Sequence, residues 1–378
     1  MTSNLPTEIW PPAKIGDHVS EVDTPALLID LDAFEANLAT LEKKTRNKNI
    51  AVRPHAKSHK CPEIAKKQIE LGAVGICCQK LAEAEIMAAY GVTNILISNQ
   101  IVTPKKIKRL CQLSTKISLS VLVDHKKNVE DLETACATTE TQLDLLIEIN
   151  VGANRCGVDS PSSALELAKL IKEKPHLNLI GIHAYQGAAQ HERSFSRRAE
   201  LSNESAKIAS SAKDLMSEHG IKIEYVTGGG TGTFMNEVNS GVYTEIQPGS
   251  YIFMDADYQR NKDQDEGFVS EFQNSLFILT TVMSYNHEGR PIVDAGLKSL
   301  SIDSGMPTLF DAEAKYQSAS DEHGVLVAKR GHDFYLGKTV KLVPGHCDPT
   351  VNLYDWFVCI RNDRVENVWP ISARGASI

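Results

Sequence analysis

One stretch of the chain decides how its fold is interpreted: Arg53-Pro54-His55-Ala56-Lys57-Ser58-His59-Lys60. It follows a short β-like run, 49–52, and holds five basic side chains in eight residues. A charge cluster of this kind is usually a solvated turn. This one stands where a strand should end and a helix begin, and a lysine partly buried there beside other cations can lose its proton and attack a carbonyl carbon. The stretch therefore predicts Schiff-base chemistry at Lys57.

Strand-like and helix-like segments alternate on the C-terminal side of this stretch. Helix-like segments such as 62–72, 81–90, 104–114, 162–173 and 196–219 separate eight strand-like runs, at 49–54, 75–79, 94–99, 117–124, 143–150, 178–185, 222–227 and 242–247. Regular alternation predicts a parallel α/β architecture. The number of strands and the length of the segment favour a (β/α)8 TIM barrel over an open doubly wound sheet.

Polar side chains stand at the ends of the predicted strands, namely Lys57, Gln79, Asn99, Asp124, Asn150, Tyr185 and Gln247. In a barrel these strand ends form one mouth, which is where enzymes with this fold place their active sites. The pattern predicts a site at that mouth.

A charged linker, 259–266, ends this pattern, and short β-like runs without long helices follow it, at 276–284, 291–294, 324–328, 338–343 and 355–361. We predict a barrel domain over 26–260, which includes the apolar strand-like run 26–29. A β-rich domain over 267–378 is expected to be joined by residues 1–25.

Composition limits the partners of the chain. Its 378 residues carry a formal net charge of −8, which argues against nucleic-acid and anionic-membrane partners. The first 14 residues lack the charged and apolar regions of a signal peptide, and no membrane span is expected. Eight cysteines without zinc-ribbon spacing indicate reduced thiols in a cytoplasmic protein.

A glycine-rich segment, Thr227-Gly228-Gly229-Gly230-Thr231-Gly232-Thr233, follows the seventh strand-like run. Glycines let backbone N–H groups approach an anion closely, and this position in a barrel is a recurrent phosphate site. No Lys-Ser/Thr follows, so the segment is not a nucleotide P-loop. The alternative interpretation of this segment is a flexible turn without a ligand.

A lysine after the first strand and a phosphate site after the seventh match the two ends of pyridoxal 5′-phosphate (PLP), which acts as an electron sink for a carbanion. Tyr185 and Arg155 also lie on the predicted mouth. Each has a structural alternative, a core tyrosine for the first and a loop salt bridge for the second.

His346 and Asp348 form a second candidate site in Gly345-His346-Cys347-Asp348-Pro349. On an extended segment their side chains point to the same face and offer an imidazole and a carboxylate to one divalent cation. A lone His-x-Asp is usually structural. A Cys347 ligand in place of Asp348 would need a local turn and would favour zinc.

Together these motifs resemble the D-threonine aldolase and D-serine dehydratase family of fold type III PLP enzymes, which have an alanine-racemase-like barrel and a β domain. Three later motifs, Asp294-Ala295-Gly296-Leu297-Lys298-Ser299, Ser320-Asp321-Glu322-His323-Gly324 and Gly345-His346-Cys347-Asp348-Pro349-Thr350, are most similar to those of bacterial 3-hydroxyaspartate aldolases and D-threo-3-hydroxyaspartate dehydratase. The resemblance implies that Lys57 is the Schiff-base lysine, that Arg155 and Tyr185 flank the ring and that Thr227, Gly228, Gly229, Gly230 and Thr231 hold the phosphate. It also implies a homodimer.

The same resemblance makes His346 and Asp348 the metal ligands. Dehydratases of the family that use zinc carry His-x-Cys here, so Asp348 favours manganese or magnesium over zinc. The primary hypothesis is an aldolase that cleaves a D-3-hydroxy amino acid, with 3-hydroxyaspartate as best guess, to glycine and an aldehyde such as glyoxylate. His59 or a bound water would be its base.

Two alternatives stay open. One is a dehydratase acting on D-3-hydroxyaspartate or D-serine, which would release a 2-keto acid and ammonia. The other is a non-catalytic PLP carrier with the same barrel, against which the β-rich region argues because such carriers are short single domains.

Overall fold

The computed structural model describes residues 10–287, 289–310, 312–329 and 331–378. Its strands are β1 (Ala26–Asp30), β2 (Ala51–Val52), β3 (Ile76–Cys78), β4 (Asn94–Gln100), β5 (Ser118–Val123), β6 (Leu143–Glu148), β7 (Leu177–His183), β8 (Tyr225–Gly228), β9 (Glu245–Ile246), β10 (Leu276–Ser284), β11 (Ile292–Val293), β12 (Thr308–Leu309), β13 (Ala314–Ala319), β14 (Gly324–Ala328), β15 (Thr339–Val343), β16 (Trp356–Arg361) and β17 (Arg364–Pro370). Its α-helices are α1 (Leu31–Thr45), α2 (Pro62–Glu70), α3 (Leu81–Ala89), α4 (Pro104–Ser114), α5 (Lys126–Thr139), α6 (Pro161–Lys172), α7 (Phe195–Glu218), α8 (Phe234–Ser240) and α9 (Cys347–Val351).

Strands β2 to β9 form one parallel sheet of eight strands in the order β2-β9-β8-β7-β6-β5-β4-β3. An isolated parallel bridge between His55 and Cys77 joins the two ends of this order. Here the backbone N–H of Cys77 donates to the carbonyl of Pro54 at 2.8 Å. The bridge closes the sheet into a barrel, so the predicted (β/α)8 architecture is confirmed.

The barrel interior combines apolar layers with buried polar pairs. Cys77, Leu96, Leu122 and Leu146 form one cluster from neighbouring strands, and all four are fully or almost fully buried. An ion pair joins Arg53 Nε and Glu245 Oε2 at 2.9 Å, and a second nitrogen of Arg53 donates to Asn94 Oδ1 at 2.7 Å. Because both charged groups are buried, removing either one would leave the other as an unpaired buried charge.

A second sheet of nine strands has the order β13-β14-β11-β10-β1-β16-β17, with β15 beside β10 and β12 beside β15. Strand β1 runs antiparallel to β10 and parallel to β16. Strand β1 was predicted to belong to the barrel segment 26–260, and this prediction is wrong because the strand lies between β10 and β16. An apolar run of five residues fits any buried strand, and its partners here lie more than 200 residues further along the chain.

The described residues divide into two compact units. One contains the residues up to 37 together with 252–259 and 271–374, and it holds the second sheet. The other contains 38–251, 260–270 and 375–378, and it holds the barrel. Among the described residues, no helix has both the length and the apolar composition needed to span a bilayer.

Candidate active site

Lys57 lies in a single 3-10 turn, Ala56–Ser58, directly after strand β2 at the mouth of the barrel. The Nδ1 atom of His55 accepts a hydrogen bond from the backbone N–H of Lys57 at 3.3 Å. The other ring nitrogen therefore carries the proton. It lies 3.2 Å from Gln79 Oε1 and 3.0 Å from Ser98 Oγ. Three neighbouring strand ends thus fix the backbone at the lysine.

His59, the predicted base, does not continue an extended strand from Lys57, because the chain turns at Ala56–Ser58. His59 is fully buried, and its Nδ1 accepts the backbone N–H of Cys61 at 3.1 Å, at the start of helix α2. The neutral ring therefore carries its proton on Nε2 and can accept another only at Nδ1, after that atom releases the N–H of Cys61.

Arg155 and Tyr185 meet on the opposite side of the barrel mouth. The guanidinium carbon of Arg155 lies 5.8 Å from the centroid of the Tyr185 ring, a cation–π distance. Arg155 is exposed and Tyr185 is half-buried. The structure therefore brings together two residues that the sequence placed on separate strand ends.

A buried acid–imidazole pair lies below them and was not recognised in the sequence. His183 Nδ1 is 3.6 Å from Glu148 Oε1, and Gln100 Nε2 donates to Glu148 Oε2 at 2.5 Å. Burial acts to raise the pKa of Glu148, but His183 and Gln100 outweigh it and hold the pKa below its ordinary value. An acidic residue within the apolar run 143–150 was the available signal.

The glycine-rich segment forms a tight loop between β8 and α8. A Cβ at Gly228 would lie 2.3 Å from the carbonyl oxygen of Ala184, and one at Gly230 would lie 2.5 Å from Gln190 Oε1. Gly229 has a φ of +72°, which favours glycine. The loop backbone therefore packs directly against Ala184 and Gln190, and side chains cannot be accommodated at these positions.

The hydroxyls of Thr227 and Thr231 in this loop differ in their environment. Thr227 Oγ1 donates to Glu245 Oε1 at 2.7 Å and accepts from Gln247 Nε2 at 2.7 Å, so it is used inside the barrel. Thr231 Oγ1 is buried and has no hydrogen-bond partner among the described residues. A buried polar atom of this kind needs a partner, and a phosphate oxygen would supply one. The loop thus fits the phosphate of PLP.

His346 lies just before helix α9, so the segment is not extended through Asp348 as predicted. The two side chains are nevertheless both half-buried, while Cys347 between them is fully buried. The Cys347 thiol contacts the carbonyl oxygen of Met254 at 3.6 Å, and burial holds its pKa well above the ordinary value. The local turn is present, but Cys347 does not present a thiolate to a metal.

A carboxylate orients the imidazole of His346. Its Nδ1 lies 2.7 Å from Asp303 Oδ2. Burial acts to raise the pKa of Asp303, but hydrogen bonds from His346 and Ser301 bring it below its usual value. A carboxylate on one ring nitrogen commonly fixes the other as a metal ligand. The donor set of His346 and Asp348 therefore fits a divalent cation with open coordination positions.

Within the described parts of the chain, one group of three potential ligands has its donor atoms within 4.8 Å of one another: Asp124, Glu148 and Cys156. Asp124 Oδ2 accepts from Gln100 Nε2 at 3.1 Å and from the backbone N–H of Gly157 at 3.0 Å. Because these acids are already bonded to protein donors, we interpret the group as part of the barrel's hydrogen-bond network.

A closed parallel barrel with a lysine after its first strand and a glycine loop after its seventh defines the class of this chain. The model of the family described as alanine racemase, N-terminal domain, matches residues 29–257, and the chain belongs to this family. The model of a putative serine dehydratase domain matches residues 275–360.

Relatives that match nearly the whole chain indicate its reaction class. The chain is 45% identical to a D-threonine aldolase from Arthrobacter sp. over 97% of both chains. It is 44% identical to a 3-hydroxy-D-aspartate aldolase from Paracoccus denitrificans (strain Pd 1222), over 96% of this chain and 95% of that one. The crystal structure of a D-threonine aldolase from Filomicrobium marinum, 42% identical, superposes with a TM-score of 0.94 over 97% of this chain and 100% of that one. The predicted class, a carbon–carbon lyase of this family, is confirmed.

Proposed function

We propose that the protein is a PLP- and divalent-metal-dependent aldolase that cleaves the Cα–Cβ bond of a D-3-hydroxy amino acid to glycine and an aldehyde. The best candidate substrate is 3-hydroxyaspartate, which would give glyoxylate. The observation that carries the proposal is that Lys57 and the glycine loop with its buried Thr231 hydroxyl lie at strand ends of one closed barrel. Its named relatives, two kinds of aldolase, support the reaction type.

The residues of the barrel would hold PLP at both of its ends. Lys57 would hold it covalently, and Gly228 to Thr231 would bind its phosphate. Arg155 and Tyr185 would flank the ring. Bound PLP supplies an electron sink for the negative charge left at Cα when the bond breaks. The glycines serve by letting the loop pack where a side chain would clash, and Thr231 serves by donating its hydroxyl.

His346 and Asp348 would hold the metal, and oxygen and nitrogen donors of this kind favour manganese or magnesium. A divalent cation lowers the pKa of a hydroxyl that it binds. Asp303 keeps the His346 ring in one tautomer and orientation. A water molecule would accept the proton of the substrate hydroxyl, or His59 would accept it at Nδ1 after releasing the N–H of Cys61. A homodimer is part of the proposal through family resemblance alone.

A product assay tests the proposal. Incubation with D-3-hydroxyaspartate, D-threonine or D-serine, with and without a chelator, should release glycine and the matching aldehyde only when metal is present. Oxaloacetate and ammonia from 3-hydroxyaspartate, or pyruvate and ammonia from serine, would instead identify a dehydratase. No turnover of any of them, with PLP bound, would favour a carrier.

The variant Lys57→Ala should lose both the absorbance band of bound PLP and cleavage activity. The variant Lys66→Ala is a control for a nearby cation, because Lys66 pairs with Glu63 at 3.1 Å and both side chains are partly exposed. If Lys57→Ala retained the band and the activity, the assignment of the lysine would be wrong.

A further inference from the structure

A buried carboxyl group, Glu237 of helix α8, lies behind the glycine loop and has no role in the function proposed above. It is 3% exposed. A Cβ built on Gly229 would lie 3.0 Å from its Cγ and Cδ and 3.1 Å from its Oε2, so the carboxyl packs directly against the loop backbone. Its Oε2 has no hydrogen-bond partner in the described chain. A buried carboxylate in this position would be poorly stabilised.

Among the described residues, the side chains that act on the Glu237 carboxyl group carry hydroxyls and no positive charge. Helix α8 packs against α7 and β9. The hydroxyls of Ser202 on α7 and Thr233 on the loop interact with the carboxyl group. Tyr243 is a titratable group that interacts with Glu237, and its hydroxyl donates to Ala184 O at 2.8 Å. On strand β9, the oxygens of Glu245 are bonded to Arg53 and Thr227.

Burial raises the pKa of Glu237 to about 8, although Thr233 and Ser202 act in the opposite direction. The group is therefore a neutral acid at neutral pH and becomes an anion in mildly alkaline solution. A phosphate bound at the loop would meet an uncharged neighbour in the first case and a like charge in the second.

We propose that Glu237 is a positioning residue for the phosphate of the cofactor: as a neutral acid it supports the glycine loop without repelling an anion, and its ionisation weakens phosphate binding. The inference rests on the proposed function, because it takes the loop as the phosphate site. Like charges separated by one layer of backbone in a buried region interact strongly, because little water screens them.

The test compares PLP binding to the full-length apoprotein, wild type and Glu237→Gln, by the absorbance of the Schiff base over a range of pH. Lys57 and the phosphate titrate in both proteins, so the ratio of the two Kd values isolates Glu237. We expect wild type and variant to bind PLP with equal Kd values at about pH 6.5. At about pH 9.5 the wild type should bind PLP on the order of tenfold more weakly than the variant. A ratio that does not change with pH overturns the inference.

Two controls separate phosphate repulsion from other effects. For pyridoxal, which lacks the phosphate, the ratio of wild-type to Glu237→Gln Kd values should stay constant with pH. A ratio that rises with pH for pyridoxal as it does for PLP would overturn the inference. The variant Glu224→Gln removes an exposed carboxylate just before strand β8. Its Kd for PLP should equal that of the wild type at every pH. A ratio of wild-type to Glu224→Gln Kd that rises with pH, as expected for Glu237→Gln, would show that Glu237 has no specific role.

A second measurement needs no variant and covers the case in which Glu237→Gln does not fold. Infrared difference spectra of wild-type protein labelled with ¹³C-glutamate should contain a protonated carboxyl band at neutral pH that disappears in mildly alkaline solution. Bound PLP should move this loss to higher pH, because coupling between two sites is reciprocal. Absence of the band, or no effect of PLP on it, overturns the inference.

These outcomes also separate this inference from the proposed function. If wild-type protein binds PLP but the ratio is constant, only the role of Glu237 fails. If it binds no PLP at any pH, the cofactor assignment fails and the role of Glu237 falls with it.

Discussion

The basic side chains between Arg53 and Lys60 have distinct partners in the structure. Arg53 pairs with Glu245 inside the barrel, and Lys60 pairs with Glu83. The ring of His55 accepts the backbone N–H of Lys57. A cluster that would be repulsive on a surface is thus divided among separate acids and backbone groups, and the lysine after the strand is held at a fixed place.

At the same scale, Thr231 should contribute directly to cofactor affinity. The variant Thr231→Val keeps the shape of the side chain but removes the only hydroxyl of the loop that has no hydrogen-bond partner among the described residues. Loss of a hydrogen bond to a charged group predicts PLP binding weaker by about ten- to a hundredfold, measured by absorbance titration. Thr244→Val, which alters a hydroxyl bonded to the Val226 backbone, is the control. Unchanged affinity of Thr231→Val would contradict a phosphate at this hydroxyl.

Asp303 should control metal affinity without being a ligand. The variant Asp303→Ala removes the carboxylate that orients the His346 ring. Metal binding should weaken by about ten- to a hundredfold, as for other carboxylates behind a ligating histidine. Calorimetric titration of the apoprotein with Mn²⁺ measures the change, and Asp321→Ala, which removes an exposed acid, should leave the affinity unaltered. Equal affinities in both variants would argue against His346 as a ligand.

The sequence identified candidates whose signal is local and missed residues whose role depends on distant contacts. Lys57 and the glycine loop follow strands, so position along the chain was enough to select them. Asp303 lies 43 residues before His346, and no spacing rule connects the two. Glu237 occupies one helical position like many others, and only its burial against Gly229 distinguishes it.

Among the elements, the barrel strands were predictable because an alternating pattern repeats along the chain. All eight predicted runs coincide with β2 to β9 within a few residues. Strand β1 was assigned to the wrong sheet because an apolar run carries no information about its partner. The turn of α9 was missed because five residues, Cys347–Val351, are too few to show a helical period.

The glycine loop should tolerate substitution very unevenly. Alanine at Gly228 would place Cβ 2.3 Å from a backbone oxygen, which cannot move as a side chain can. We expect Gly228→Ala to lower the free energy of unfolding by roughly 1–3 kcal/mol. The control is Gly267→Ala, whose Cβ would meet only the flexible carboxylate end of Asp263. Urea denaturation of both variants checks this, and equal losses would contradict the tight packing of the loop.

At the scale of the whole molecule, Glu237 should make stability depend on pH. Its carboxyl keeps a proton in the folded protein up to about pH 8, whereas in the unfolded chain it loses it near the ordinary value of 4.5. Between these values the folded state binds one more proton, so the free energy of unfolding falls as pH rises through this window. The decrease attributable to this group is on the order of a few kcal/mol.

Urea denaturation of the apoprotein at a series of pH values measures the effect. The stability of Glu237→Gln relative to wild type should rise through the window and become constant above it, because all other titrations are common to the two proteins. Parallel stability curves would mean that Glu237 is already ionised at neutral pH.

The pairing of β2 with β9 also limits the order in which a nascent chain can mature. Ala51 and Val52 pair with Glu245 and Ile246, so the segment that carries Lys57 gains its second neighbour only after the ribosome has made almost two-thirds of the protein. The glycine loop is made in the same late interval. On the proposed assignment of Lys57 and the glycine loop, both ends of the PLP site are completed together, so PLP would bind after this pairing and not during the early steps of folding.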